Sequence, residues 1–241
     1  MVRLLLIGNS RWHWGDWHPT GLQRQWDCSP EDGLNQWHEQ RAELWAAVGP
    51  VSQDLAADQG SRVAASDIPL AGQPAGLGVD RALAAWEAWM QAGACLPVFV
   101  ADAGTALSLT LADGEGRFLG GRLSAGAALQ LQALHQGTEA LPVLTTPSHL
   151  LAAELSDEVW PRGTAAAMAA GVLQGLAGAI LHGYSQLPDQ GQTWQLWLTG
   201  GDGAALETLL KLRGLAPCYA QNLGLQGLGR LWQIRRLNQD R

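Results

Sequence analysis

Pro97-Val98-Phe99-Val100-Ala101-Asp102-Ala103-Gly104-Thr105-Ala106 is the stretch on which the reading of this chain turns. An apolar run of strand character delivers a carboxylate, then a glycine, then a hydroxyl. That order suits phosphate chemistry. The carboxylate holds a cation or its water, glycine lets backbone N–H groups approach an anion, and threonine donates to a phosphate oxygen. Asp and Gly are also ordinary turn residues, so a plain strand followed by a turn fits the same letters.

Upstream, Gly78-Val79-Asp80-Arg81 opens a helical run carrying Leu83, Trp86, Trp89 and Met90. The helix dipole favours Asp80 in the first turn whatever its role. Arg81 offers a planar two-point clamp for a carboxylate, or an ion pair with a neighbour. Downstream, residues 107–111 alternate apolar and hydroxyl side chains as a half-buried strand does. A turn at 113–116 leads to a strand at 117–119. Gly120-Gly121 permits a close backbone approach or a bulge. A helix is expected over 126–135, and the segment closes at Leu141-Pro142.

Further out, residues 2–7 read as a buried strand running through Gly8-Asn9-Ser10 into a second strand at 11–14 that ends at Gly15. The hairpin tip offers N–H groups and a hydroxyl to an anion, and is equally an ordinary hairpin turn. A third strand is expected at 22–28. A helix is expected over 30–47, where Leu34, Trp37, Arg41, Leu44 and Trp45 follow helical spacing. Ser52 is placed to cap a helix reaching residue 59. Residues 62–66 read as a strand, and 70–78, rich in Gly and Pro, as a loop at a boundary or site rim.

In the C-terminal half a short helix is expected near 150–155. Gly163-Thr164 starts a long helix, with Thr164 as a possible cap. Its small residues, Gly171, Gly175 and Gly178 among them, allow close packing within the chain or across a dimer. A strand at 195–198 ends in Thr199-Gly200-Gly201, and Asp202 opens a helix to 212. This is a corner suited to nucleotide contact. The paired hairpins at Gly8 and Gly104 suggest a duplicated fold.

Composition narrows the function. The chain has 241 residues, enough for one large domain or two small ones, with 47% hydrophobic residues and a net charge of −7. An acidic chain whose one dense basic stretch is 230–236 argues against nucleic acid as a partner. Cys28, Cys95 and Cys218 lie too far apart for metal-type pairs and fit a reducing, cytoplasmic setting. No apolar run long enough for a membrane span is expected. The 12 tryptophans are read as core or interface filler.

Glycine-marked turns at Gly8, Gly104 and Gly200 follow the pattern of the actin-like ATPase fold, and the chain resembles type III pantothenate kinases. The matching pieces are Gly8-Asn9-Ser10, Gly78-Val79-Asp80-Arg81, Asp102-Ala103-Gly104-Thr105-Ala106, Gly120-Gly121, Leu141-Pro142, Thr164 with Ala167-Met168 and Gly171, and Thr199-Gly200-Gly201. The resemblance implies an α/β fold of two actin-like (ribonuclease H-like) domains, 1–103 and 104–241, with mixed sheets flanked by helices. It implies a homodimer that phosphorylates pantothenate with ATP, Mg2+ and a monovalent cation (K+ or NH4+), the first step of coenzyme A synthesis.

Residue by residue, the resemblance makes Asp80 the base toward the pantothenate hydroxyl. The residues alone leave Asp80 and Asp102 both open for that role. Gly78, Val79, Asp80, Arg81 and Thr164 would line the pantothenate site, with Arg81 near the carboxylate. Gly8, Asn9, Ser10, Arg11 and Thr105 would hold ATP phosphates, Gly200 and Gly201 would lie near the nucleoside, and Asp102 would bind the monovalent cation.

The sequence also departs from the family. The first loop in the family usually reads Asp-x-Gly-Asn-Thr, and its Asp helps to hold magnesium. Here Leu6 stands at that place and Ser10 replaces the Thr. The Lys or similar polar residue usual further along the hairpin gives way to Trp12-His13-Trp14. A Tyr often found upstream of Gly78 is missing, and Thr110 and Ala125 replace an Asp and a Pro. His13, Asp16 or water would have to stand in for the lost carboxylate. The competing readings are a weakly active or inactive relative with a regulatory or binding role, and a kinase for another small hydroxy acid.

Overall fold

The computed structural model describes residues 1–49, 51–58, 60–144, 158–188, 191 and 193–239. The chain forms two compact units. One comprises Met1–Cys95, Ala112–Leu119 and Asn222–Arg241, and the other Leu96–Leu111 and Gly120–Gln221. Each is discontinuous in sequence, whereas a single division after residue 103 gives two continuous pieces.

In the first unit β1 (Val2–Ile7) pairs antiparallel with β2 (Trp12–His18), and β2 with β3 (Gly21–Cys28). On the other side of β1 lie, in parallel, β4 (Leu44–Ala47) and then β5 (Arg62–Val63). Strand alternation sorts the side chains by face. One face carries Leu5, Ile7, Trp12, Trp14 and Trp45, closed by Trp37 and Leu55 in a tryptophan-rich core. Trp37 lies on α1 (Pro30–Glu39), which Ser29 caps through the Asp32 N–H at 3.1 Å; Leu55 lies on α2 (Gln53–Ala57), capped by Ser52.

The opposite face receives the last helix described, α7 (Leu223–Gln239), which also packs along α3 (Val79–Gln91). Its glycines permit the approach: a Cβ on Gly229 would sit 2.3 Å from the Trp17 ring, and one on Gly227 2.8 Å from the Leu83 carbonyl. Between α3 and α7, Glu87 is 1% exposed and takes Arg230 Nε and Nη2 at 2.5 and 2.8 Å, with Gln91 Nε2 at 2.8 Å.

In the second unit β6 (Val98–Ala103) pairs in parallel with β9 (Gln195–Thr199), which pairs in parallel with β10 (Cys218–Tyr219). β7 (Ala106–Ala112) and β8 (Phe118–Ala125) extend the sheet on the other side of β6. Numbered within its own sheet, each five-stranded sheet has the order 3-2-1-4-5. The duplication suggested by the two glycine hairpins is therefore visible in the topology. Helices α4 (Ala127–Gln136), α5 (Thr164–Ser185) and α6 (Gly203–Leu212) contribute Leu131, Val172, Leu176, Ile180, Leu206 and Leu210 to the core. Among the described helices α5 alone is long and apolar enough to cross a membrane, and one face of it, with Val172, Leu176 and Ile180, is buried in this core.

Several expectations are corrected. The helix expected over 30–47 stops at Glu39, because Leu44–Ala47 is a buried strand in register with residues 4–7. The second strand runs past Gly15 to His18. The strand at 62–66 is two residues long and gives way to a 3-10 turn at Ala65–Asp67. Gly120 and Gly121 lie inside β8. Gly163 holds the cap position of α5, and Thr164 is its first residue. The short helix expected near 150–155 lies outside the described residues.

Candidate active site

In the first unit, Gly78 precedes α3 and Asp80 stands in its first turn. Asp80 Oδ1 accepts the Arg81 backbone N–H at 2.7 Å. A Cβ on Gly78 would lie 2.6 Å from that oxygen, so this carboxylate position requires glycine there. Burial pushes the Asp80 carboxyl above its ordinary value, against the opposing pull of the Arg81 N–H and guanidinium. Burial also lowers the Arg81 guanidinium from its usual range. The guanidinium carbon lies 5.9 Å over the Phe118 ring. Val79 turns its side chain into the core at 6% exposure. A cavity of about 570 Å³ opens beside Gly78 and Val79, with Arg62 and Asp67 on its wall.

The Gly8 turn lies close by. Gly8 N–H donates to the Arg11 carbonyl at 2.9 Å, and Asn9, Ser10 and Arg11 are exposed. Val48 and Gly49, following β4, join the two loops. A Cβ on Gly49 would sit 2.4 Å from the Gly8 carbonyl, and one on Gly78 would sit 3.7 Å from Val48 Cγ1. Leu6, His13 and Asp27 form one cross-strand row. Leu6 is buried under α7, its Cδ2 3.0 Å from where a Cβ on Gly224 would be, and that same point lies 3.7 Å from the Asp80 carbonyl. His13 Nδ1 lies 2.8 Å from Asp27 Oδ1, and this bond holds the Asp27 carboxyl below its ordinary value. Asp16 pairs with Arg3 Nε at 2.8 Å on the opposite face from Leu6, and so cannot replace a carboxylate at position 6.

The second unit gathers a different set. Asp102 and Thr199 are register partners on β6 and β9. Gly200 has φ +91°, and a Cβ there would lie 2.4 Å from the Ala103 carbonyl and 2.6 Å from Asp102 Oδ1. Only glycine allows the β9 turn to rest on the Asp102 carboxylate. The Gly104-Thr105 turn meets the start of α4, where Gly126 N–H donates to the Thr105 carbonyl at 3.0 Å. Asp202 ties the corner together. Its N–H donates to the Ala103 carbonyl at 2.9 Å, and its carboxylate accepts the Ala127 N–H. Burial raises the Asp202 carboxyl. The N-termini of α4 and α6 thus converge on the Gly104 and Gly200 turns, an arrangement that favours bound anions. Gly201 is exposed beside them, whereas Thr164 stands exposed at the head of α5.

Two sequence-legible sets are thus assembled within their units: Gly8–Arg11 beside Gly78–Arg81, and Asp102–Thr105 beside Gly200. Asp27 and Asp202 were missed as site residues. The sequence signal for Asp202 was its place after Gly200-Gly201; Asp27 carries none, because only strand register brings it to His13.

Duplicated sheets with a glycine turn after the first strand of each give the chain an actin-like fold. It superposes on the activator of 2-hydroxyisocaproyl-CoA dehydratase from Clostridium difficile, solved with ADPNP bound, with a TM-score of 0.58, 11% identity, and coverage of 99% of this chain and 96% of that one. It superposes on a Campylobacter jejuni protein described as a Baf family transcriptional activator with a TM-score of 0.64, 18% identity, and coverage of 98% and 100%. These likenesses define the fold. Residues 59–186 match the family model for type III pantothenate kinase. The chain is 34% identical over 234 residues to the type III pantothenate kinase of Synechococcus elongatus, covering 87% of this chain and 88% of that protein. The chain belongs to the type III pantothenate kinase family.

Proposed function

We propose that the protein transfers the γ-phosphoryl group of ATP to the hydroxyl of pantothenate, giving 4'-phosphopantothenate in the first step of coenzyme A synthesis. The observation that carries this is Asp80: a carboxylate at a helix start, raised by burial and fixed by the Arg81 N–H, beside a cavity. A carboxylate with a raised pKa orients a hydroxyl and accepts its proton as the phosphoryl group arrives. Gly78 and Val79 line the pantothenate site, Arg81 takes the carboxylate, and Thr164 contributes a further substrate contact. Gly8, Asn9, Ser10, Arg11 and Thr105 hold phosphates, and Gly200 and Gly201 lie along the nucleoside.

The converging helix starts and glycine turns suit ATP. No cluster of three or more His, Cys, Asp or Glu side chains suited to a metal occurs among the described residues. Mg2+ commonly keeps waters and binds mainly to phosphates with one or two carboxylates, and bound in that manner it would neutralise phosphate charge. Asp102, against the Gly200 turn, is our choice for the monovalent cation. The working unit is a cytoplasmic homodimer. Support for the dimer comes from exposed Leu129 and Leu134 on α4, the neighbouring groove past Met168, and the open faces of Gly171, Gly175 and Gly178 on α5.

One observation favours a second reading. Leu6 removes a carboxylate from the first loop, which fits a relative that binds nucleotide or pantothenate without rapid turnover. Purified protein incubated with ATP, Mg2+, K+ and pantothenate separates the two. Phosphopantothenate formed by the native protein and lost in Asp80→Asn supports the kinase. No product from folded, ATP-binding protein leaves the second reading standing.

A further inference from the structure

The row Leu6–His13–Asp27 has a property that the reading above does not use. Directly opposed residues on neighbouring strands share a face, so His13 lies between Leu6 and Asp27 on the face that bears Gly8. Asp27 occupies Nδ1 of the ring at 2.8 Å. The other nitrogen is directed at the loop: a Cβ on Gly8 would lie 3.4 Å from His13 Nε2. The ring is therefore held by a carboxylate on one side and turns Nε2 toward the Gly8 turn on the other. The His13 side chain is 29% exposed, so a ligand seated on the turn can reach it.

We propose that His13 is a phosphate-binding residue for the nucleotide, that its Nε2–H donates to a phosphate oxygen above Gly8, and that Asp27 is the residue that positions it. This rests on the Gly8 turn being a nucleotide site. A carboxylate at position 6 would act on phosphates through a bound cation. With Leu6 in that place, the ring donates to the phosphate directly: with Asp27 on Nδ1 and a phosphate oxygen on Nε2, both ring nitrogens act as donors.

The test is direct titration of the full-length protein with ATP, and separately with adenosine, without pantothenate. Native protein, His13→Ala, His13→Lys and Asp27→Asn are compared, with thermal melts confirming that each folds. We expect His13→Ala to weaken ATP ~10-fold, the scale of one charge-assisted hydrogen bond, and to leave adenosine unchanged. His13→Lys restores most of the loss, and Asp27→Asn weakens ATP by a smaller factor with adenosine again unchanged. Undiminished ATP binding by folded His13→Ala, or an equal loss of adenosine binding, overturns the proposal. ATP binding without pantothenate phosphorylation removes the kinase reading and leaves His13 in its role. No ATP binding by the native protein removes both.

Discussion

Replacing Arg230 by Met tests how α7 holds the helix that carries Asp80. Glu87 is 1% exposed, and two of its three hydrogen bonds come from Arg230. Removing the guanidinium leaves a buried carboxylate with Gln91 as its partner. Breaking such a pair costs about 3–5 kcal/mol. Arg230 itself is 32% exposed, so water enters part of the gap and the lower end applies, about 3 kcal/mol. For a chain of this size that lowers Tm by roughly 6–12 °C. The double variant Glu87→Leu/Arg230→Met removes both charges and should recover most of the loss, since an apolar replacement of a buried pair is often neutral. Calorimetric melts of the native protein, both single variants and the double variant give the coupling directly. A loss below about 1 kcal/mol in Arg230→Met, or a double variant less stable than either single one, would refute the reasoning.

Asp80→Asn should reduce phosphorylation by ~10²–10⁴-fold, the usual share of a positioned base, with ATP affinity retained; an active variant would remove Asp80 from the chemistry. The same variant should melt higher than the native protein at pH 7. Burial raises the folded-state pKa of Asp80, so the native chain loses stability as pH rises from the unfolded toward the folded value, and the amide does not. For the reaction, activity falls as pH drops through that raised pKa. Arg81→Met removes a charge that lowers it, so the acid limb of kcat/KM should move to higher pH; an unmoved or lowered limb counts against Asp80 as the titrating group. Gly200→Ala forces a Cβ to within 2.4 Å of the Ala103 carbonyl at φ +91° and should cost about 1–3 kcal/mol while weakening ATP binding, both readable in melts with and without nucleotide.

What was legible in the sequence follows from what each signal measures. Strands β1, β6 and β9 are apolar runs ending in glycine turns, and both features are local. The Leu44–Ala47 strand is just as apolar, but a four-residue run continues the helical spacing of Leu34 and Trp37, and only pairing with β1 decides its state. Helix α7 went unread because Gly224, Gly227 and Gly229 look like loop residues. Those glycines are there because the helix lies against Leu6, Leu83 and Trp17, a tertiary reason with no local trace. The candidate site divides in the same way. Gly78–Arg81, Asp102–Thr105 and Gly200 are short motifs, visible as letters. Asp27 and Asp202 gain their roles through register and through a bond to the start of another helix.

Leu6 then has a physical account beyond the loss of a carboxylate. It is 8% exposed, and its methyl carbons fill the space between β1, Gly224 and the start of α3. A carboxylate there would be desolvated, and it would lie near Asp80, whose own carboxyl burial already raises. Two such groups in one buried place push each other toward the neutral form, and a base needs the charged one. An apolar side chain at position 6 therefore favours an ionised Asp80. On our proposal the charge compensation that phosphates require falls to His13, one strand further along the same row, with Asp27 behind it. The departure at position 6 and the His13–Asp27 pair are on this view one adaptation, written on three neighbouring strands.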